Sequence, residues 1–164
     1  MAPAHRPVGP GARYFEDFRP GERIVTQGRT VTEVDGGLWA MFTGDMNPMH
    51  VDEVYATEHG LFGGRFPPGL MAVAIASGLK ERLGLFAGTG LAMLEQTIRY
   101  HQPVRFGDTI HVELTVEETE PRPGKPRGVV TFHYEIVKDD GVRVADGRWV
   151  MVVAARPARE DPAP

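Results

Sequence analysis

At 164 residues and 18.0 kDa, the chain suits one compact domain with enough residues for a real core. A formal net charge of -4 and a pI near 5.9 leave no electrostatic footprint for nucleic acid. The lack of cysteine excludes a disulfide framework, a thiolate nucleophile and cysteine-ligated metal sites, and suits a reducing cytoplasm.

The opening stretch MAPAHRPVGPGAR has three prolines and no apolar run that could serve as a signal-peptide core. Residues 1–13 are therefore expected to form a flexible tail, and residues 155–164, ARPAREDPAP, a second one. Residues 14–154 between them read as a single domain. Within it, Tyr14 to Thr32 contains FRPGERIVTQGRTVT, which predicts a first strand after its Pro-Gly turn, and Val34 to Phe42 reads as a short helix. Leu70 to Leu83, introduced by Pro67, Pro68 and Gly69, is apolar nearly all round for its first ten residues and must be buried on most sides. Its longest apolar run, Leu70 to Ala76, falls far short of the roughly 20 residues of a membrane helix, so a soluble protein is expected.

The second half changes character. Leu91 to Tyr100 is an irregular strand candidate. Thr109 to Glu117 alternates strictly, with Ile110, Val112, Leu114 and Val116 on one face. After the loop PRPGKPRG at 121–128, Val130 to Ile136 repeats the pattern. DDG at 139–141 turns the chain into Val142 to Ala145, and a further strand runs from about Arg148 to Ala154. One greasy helix beside a long antiparallel meander predicts an α+β arrangement, a sheet wrapped around a central helix.

The chemistry concentrates in Phe42 to Ala56, FTGDMNPMHVDEVYA. Gly44 and Pro48 break any continuous helix, so Asp45, Asn47 and His50 share a short bent segment. A carboxylate and an imidazole placed together can hold one water and move its proton, which suits addition or removal of water. The plainer alternative is that Asp45 and Asn47 cap turns or helices and that His50 is a satisfied, partly buried histidine. A calcium loop starting at Asp45 would put Met49 where an oxygen ligand belongs, His50 where glycine is needed and Ala56 where glutamate should close the site. No metal or other cofactor is expected. His111 and His133 lie on polar strand faces, His59 precedes a helix-ending glycine, His5 is in the tail and His101 could line a cleft.

The segment FTGDMNPMHVDEVYA resembles the signature of the MaoC-like, (R)-specific enoyl-CoA hydratases. Phe42, Thr43, Gly44, Asp45, Asn47, Pro48, Met49, His50 and Ala56 hold its constrained places, with Met49 where an aliphatic residue is usual. PPGLMAVAIASG at 67–78 resembles the family's central helix, and IRYHQPVRFGDTIHVELTV at 98–116 its following strand, Pro-Val-Arg turn and next strand. The resemblance implies a hot-dog fold, a dimer or larger homo-oligomer, and a hydratase or dehydratase acting on 2-enoyl-CoA or 3-hydroxyacyl-CoA, with delivery by acyl-carrier protein the alternative. It assigns Asp45 and His50 as the catalytic pair, Asn47 as the residue that orients it, Gly69 as the oxyanion donor through its N–H, and Ser77 as a supporting hydrogen-bonding residue or, equally, a small packing residue. Pro68 replaces the histidine that commonly precedes that glycine, which changes the wall of the acyl pocket. Arg65, Arg99 and Arg105 could meet the phosphates of coenzyme A or remain solvated charges. A hot-dog thioesterase and a non-catalytic acyl-binding subunit are the competing readings; neither needs the intact Asp-x-Asn-Pro-x-His pattern.

Overall fold

The computed structural model describes residues 8–157; the remaining parts of the two expected tails, 1–7 and 158–164, lie outside the described residues. The chain builds short strands β1 (Arg23–Val25) and β2 (Arg29–Thr30), then helices α1 (Glu33–Thr43), α2 (Pro48–Val51), α3 (Glu53–His59) and α4 (Gly69–Glu81). Strands β3 (Gly90–Gln96), β4 (Arg99–Tyr100), β5 (Thr109–Pro121), β6 (Arg127–Lys138) and β7 (Arg143–Ala154) follow. They form one seven-stranded sheet in the order β1-β5-β6-β7-β3, with β2 also on β5 and β4 on β7. Every pairing is antiparallel.

The alternation in β5 and β6 decides which face is wet. Ile110, Val112, Leu114, Val130, Phe132, Tyr134 and Ile136 are fully buried. Opposite them, α4 buries Met71, Ala72, Val73, Ile75, Ala76 and Leu79 in the same cluster. A long antiparallel sheet thus wraps one central helix, the hot-dog arrangement.

Three sequence expectations need adjustment. The two strands expected at 142–145 and 148–154 are one continuous strand, β7, because it hydrogen-bonds along the whole of β6 and absorbs a register shift between Ile136 and Val137. The strand expected at 91–100 is instead two, β3 and β4, both on β7, with register shifts within β3. The single strand expected near the N-terminus is likewise split into β1 and β2 on β5.

Both expected tails are tied where they leave the domain. Gly9 N–H donates to Ala87 O at 2.9 Å and Arg13 N–H to Leu85 O at 2.8 Å. Arg156 bonds both carboxylate oxygens of Asp17, at 2.7 and 2.8 Å, and its guanidinium lies over the Tyr14 ring.

Candidate active site

Local sequence explains the bend that carries the candidate residues. Thr32 and Asp35 close a capping box at the start of α1, and Gly44, at φ 75°, ends that helix in the left-handed region that glycine tolerates best. The Thr43 hydroxyl donates to Trp39 O at 2.7 Å and accepts from Asp45 N–H at 3.2 Å, which fixes the first residue after the helix. Asn47 Oδ1 then accepts from Met49 N–H at 3.1 Å and caps α2, whose first residue is Pro48. Asp52 caps α3 through Tyr55 N–H at 3.0 Å. Asp45 therefore sits on the turn and His50 on the short helix.

His50 is oriented by a backbone group. Its Nδ1 lies 2.7 Å from Phe66 O, and its ring meets the Phe66 ring edge-on with centroids 5.1 Å apart. A carbonyl only accepts, so Nδ1 carries the hydrogen and Nε2 of the neutral ring is left as an acceptor. The segment bearing Phe66 is held in turn by Arg65, which bridges Glu53 at 3.1 Å and Glu33 at 2.9 Å. Hydrogen bonds from the Arg65 backbone and side chain hold the Glu53 carboxyl below its ordinary value.

Asp45, His50 and Gly69 line one cavity of about 510 Å3. Its walls are mostly apolar, with Phe62, Phe66 and Pro68 on one part and Tyr100, Val104 and Val144 on another. The Asp45 carboxylate has no hydrogen-bond partner among the described residues and remains available to a ligand. Gly69 opens α4, so no preceding helical turn accepts its N–H, and the partial positive charge of the helix start lies at the cavity wall. Burial pushes the Tyr100 hydroxyl up. His101 also borders the cavity and is paired through Nε2 with Asp146, a contact that holds the Asp146 carboxyl below its ordinary range.

Two other expected residues stand apart from this convergence. Asn47 bonds the backbone of α2 and reaches the pair only through the helix it caps. Ser77 is half-buried two turns along α4 and is absent from the cavity lining. Of the three arginines considered for phosphate, Arg65 is engaged by two carboxylates and Arg105 donates to Phe62 O. Arg99 lies in a separate surface hollow with Glu117, His133 and Arg148.

Sequence reasoning did not anticipate Phe66 or Tyr100. The orienting group of Phe66 is a main-chain oxygen, which no residue type advertises; the available signal is Pro67, which disfavours a helical conformation for the residue before it. Tyr100 reaches the cavity from β4, thirty-one residues beyond Gly69 in sequence, and only the fold brings them together.

Comparison with known proteins bears on the fold and the family. The family model of the MaoC-like domain matches residues 17–137. The chain is 35% identical over 111 residues to the protein MaoC of Klebsiella aerogenes, a match covering 66% of this chain and 32% of that protein, so it spans about a third of that relative's length. It is 32% identical over 144 residues to an (R)-specific enoyl-CoA hydratase of Rhodospirillum rubrum, covering 87% of this chain and 93% of the relative. The crystal structure of a MaoC-like dehydratase from Rhodospirillum rubrum superposes with a TM-score of 0.81 at 29% identity, covering 90% of this chain and all of the other. By the family match, this chain belongs to the MaoC-like domain family.

Proposed function

We propose that the protein is a hydro-lyase that adds water to a 2-enoyl-CoA to give the (R)-3-hydroxyacyl-CoA, and catalyses the reverse dehydration. The observation that carries this reading is the convergence of Asp45, His50 and Gly69, the first residue of α4, on one largely apolar cavity. The enzyme named among its relatives as an (R)-specific enoyl-CoA hydratase supplies the substrate class.

The chemistry follows from the donors and acceptors. A water held between Asp45 and His50 gives one hydrogen bond to the carboxylate and one to Nε2, the acceptor left by the Phe66 contact. His50 takes a proton as the water oxygen bonds to the β-carbon. The double-bond electrons move toward the thioester oxygen, where the Gly69 N–H and the start of α4 stabilise the developing enolate. When the enolate collapses, the α-carbon receives the proton from His50, so one water is added and both side chains return to their starting state. Asn47 acts as a positioning residue through its cap on α2.

The working unit is a homodimer joined along β3. Among the described residues that strand bonds only β7 within the sheet and has no partner on its other edge, and Leu91, Met93 and Leu94 on it are exposed. An exposed, apolar edge strand is a template for pairing with a second chain. The hydratase reading is tested by following loss of enoyl-thioester absorbance with crotonyl-CoA, with chiral analysis of the product. The expected product is the (R)-3-hydroxyacyl-CoA; release of free thiol without hydration would instead support thioester hydrolysis.

A further inference from the structure

Trp39, on α1, borders two cavities. One side of its lining belongs to the cavity that contains Asp45, His50 and Gly69. The other belongs to a groove of about 480 Å3 floored by Leu38, Phe42, Met71, Ala74 and Ile75. Successive residues of α4 serve both spaces, with Leu70 and Ala72 on the catalytic side and Met71, Ala74 and Ile75 on the groove side. Trp39 is the one residue common to the two linings. Its side chain is half-buried and packs against the core.

The groove is apolar where it meets Trp39. Its polar residues are the ion-paired Arg29 and Asp35, with Arg82. A site that binds an acyl chain gains from each methylene it removes from water. An indole standing between a catalytic cavity and a second apolar space therefore limits how far that gain extends.

We infer that Trp39 is the acyl-length determinant: its indole closes the acyl end of the catalytic cavity, and the groove beyond would take the outer methylenes of a longer chain once the indole is removed. The inference rests on the acyl-thioester reading given above. Replacing Trp39 by Ala joins the two spaces, whereas Phe narrows the wall without removing it. A bulky residue at Ala74 fills the groove from the α4 side.

The test compares kcat/KM for crotonyl-CoA and 2-dodecenoyl-CoA in the wild type, Trp39→Ala and Trp39→Phe, with folding checked by circular dichroism. Trp39→Ala is expected to raise the ratio of long-chain to short-chain activity, by up to about fourfold for each methylene newly buried. Trp39→Phe is expected to raise it less, and Ala74→Phe added to Trp39→Ala should reverse the gain. An unchanged ratio in folded Trp39→Ala and Trp39→Phe would overturn the inference. The same ratio is read without turnover by titrating the proteins with butyryl-CoA and dodecanoyl-CoA. Wild type that hydrates nothing defeats the hydratase reading alone, since the shift in relative affinity still decides the role of Trp39. Failure of every form to bind either saturated thioester defeats both.

Discussion

The ring of Tyr100 stands so close to Gly69 that a Cβ placed there would fall 2.7 Å from Cε1 and 2.9 Å from Cζ. The first residue of α4 and a residue of β4 are thus fitted to one another in the lining of the candidate cavity. Alanine at Gly69 cannot be accommodated without moving the ring. Tyr100 is half-exposed, so the ring yields before the helix does. Gly69→Ala is therefore expected to leave thermal stability within about 1 kcal/mol of wild type, since reduced freedom of the unfolded chain offsets part of the crowding. Activity is more sensitive, because a displaced wall moves the bound thioester, and misplacement on the order of 1 Å can cost up to about a hundredfold. Steady-state kinetics check this, and adding Tyr100→Ala to Gly69→Ala should recover part of the loss.

Asp45→Asn and His50→Ala are each expected to lower hydration by several orders of magnitude, and the double variant by little more than the worse single one, because in the proposed mechanism the two residues act on one water. Asn47→Ala should differ in kind. It removes the cap of α2, costing about 1 kcal/mol of stability, and lowers turnover only through the placement of His50. Kinetics alongside thermal melts separate the two patterns.

Much of this site was legible in the sequence because its chemistry is local. Asp45 and His50 are five residues apart on a segment that Gly44 and Pro48 force to bend, and both reach the cavity. The central helix was legible as a run apolar nearly all round behind Pro67, Pro68 and Gly69, and strands β5 and β6 from their two-residue alternation. What escaped the sequence depends on contacts across the fold. The carbonyl that orients His50 lies sixteen residues away, and the ring against Gly69 belongs to a two-residue strand whose existence depends on its pairing with β7. Ser77, a helical position plausible from the sequence, lies two turns along α4 and is not among the residues that line the cavity.

Tyr134 gives the fold a specific alkaline limit. Burial, with smaller contributions from Tyr100 and Asp146, pushes its hydroxyl up to about 12 from the ordinary 10.0, and the group donates to Thr97 O at 3.0 Å. The folded state holds this proton while the unfolded chain releases it. The associated stability is fully present below pH 10 and is lost as pH rises toward 12. Melting temperatures over that range should fall more steeply for wild type than for Tyr134→Phe, which is less stable at neutral pH because the Thr97 carbonyl loses its donor.

The edge of β3, unpaired among the described residues, makes a further prediction. Leu94→Lys places a charge among the exposed apolar side chains of that strand, and it should shift the protein from dimer to monomer in sedimentation experiments while leaving its circular dichroism unchanged. A dimer that persists unchanged would place the contact on another face.

In the proposed mechanism Asp45 and His50 jointly handle a water proton in an acyl-thioester cavity. The measurement that tests it most directly is the rate of absorbance loss from crotonyl-CoA with wild type and with folded His50→Ala. Rapid hydration by wild type to the (R)-3-hydroxy product is expected, with a near-complete loss of that rate in the variant. Hydration at a near-normal rate by folded His50→Ala would contradict it.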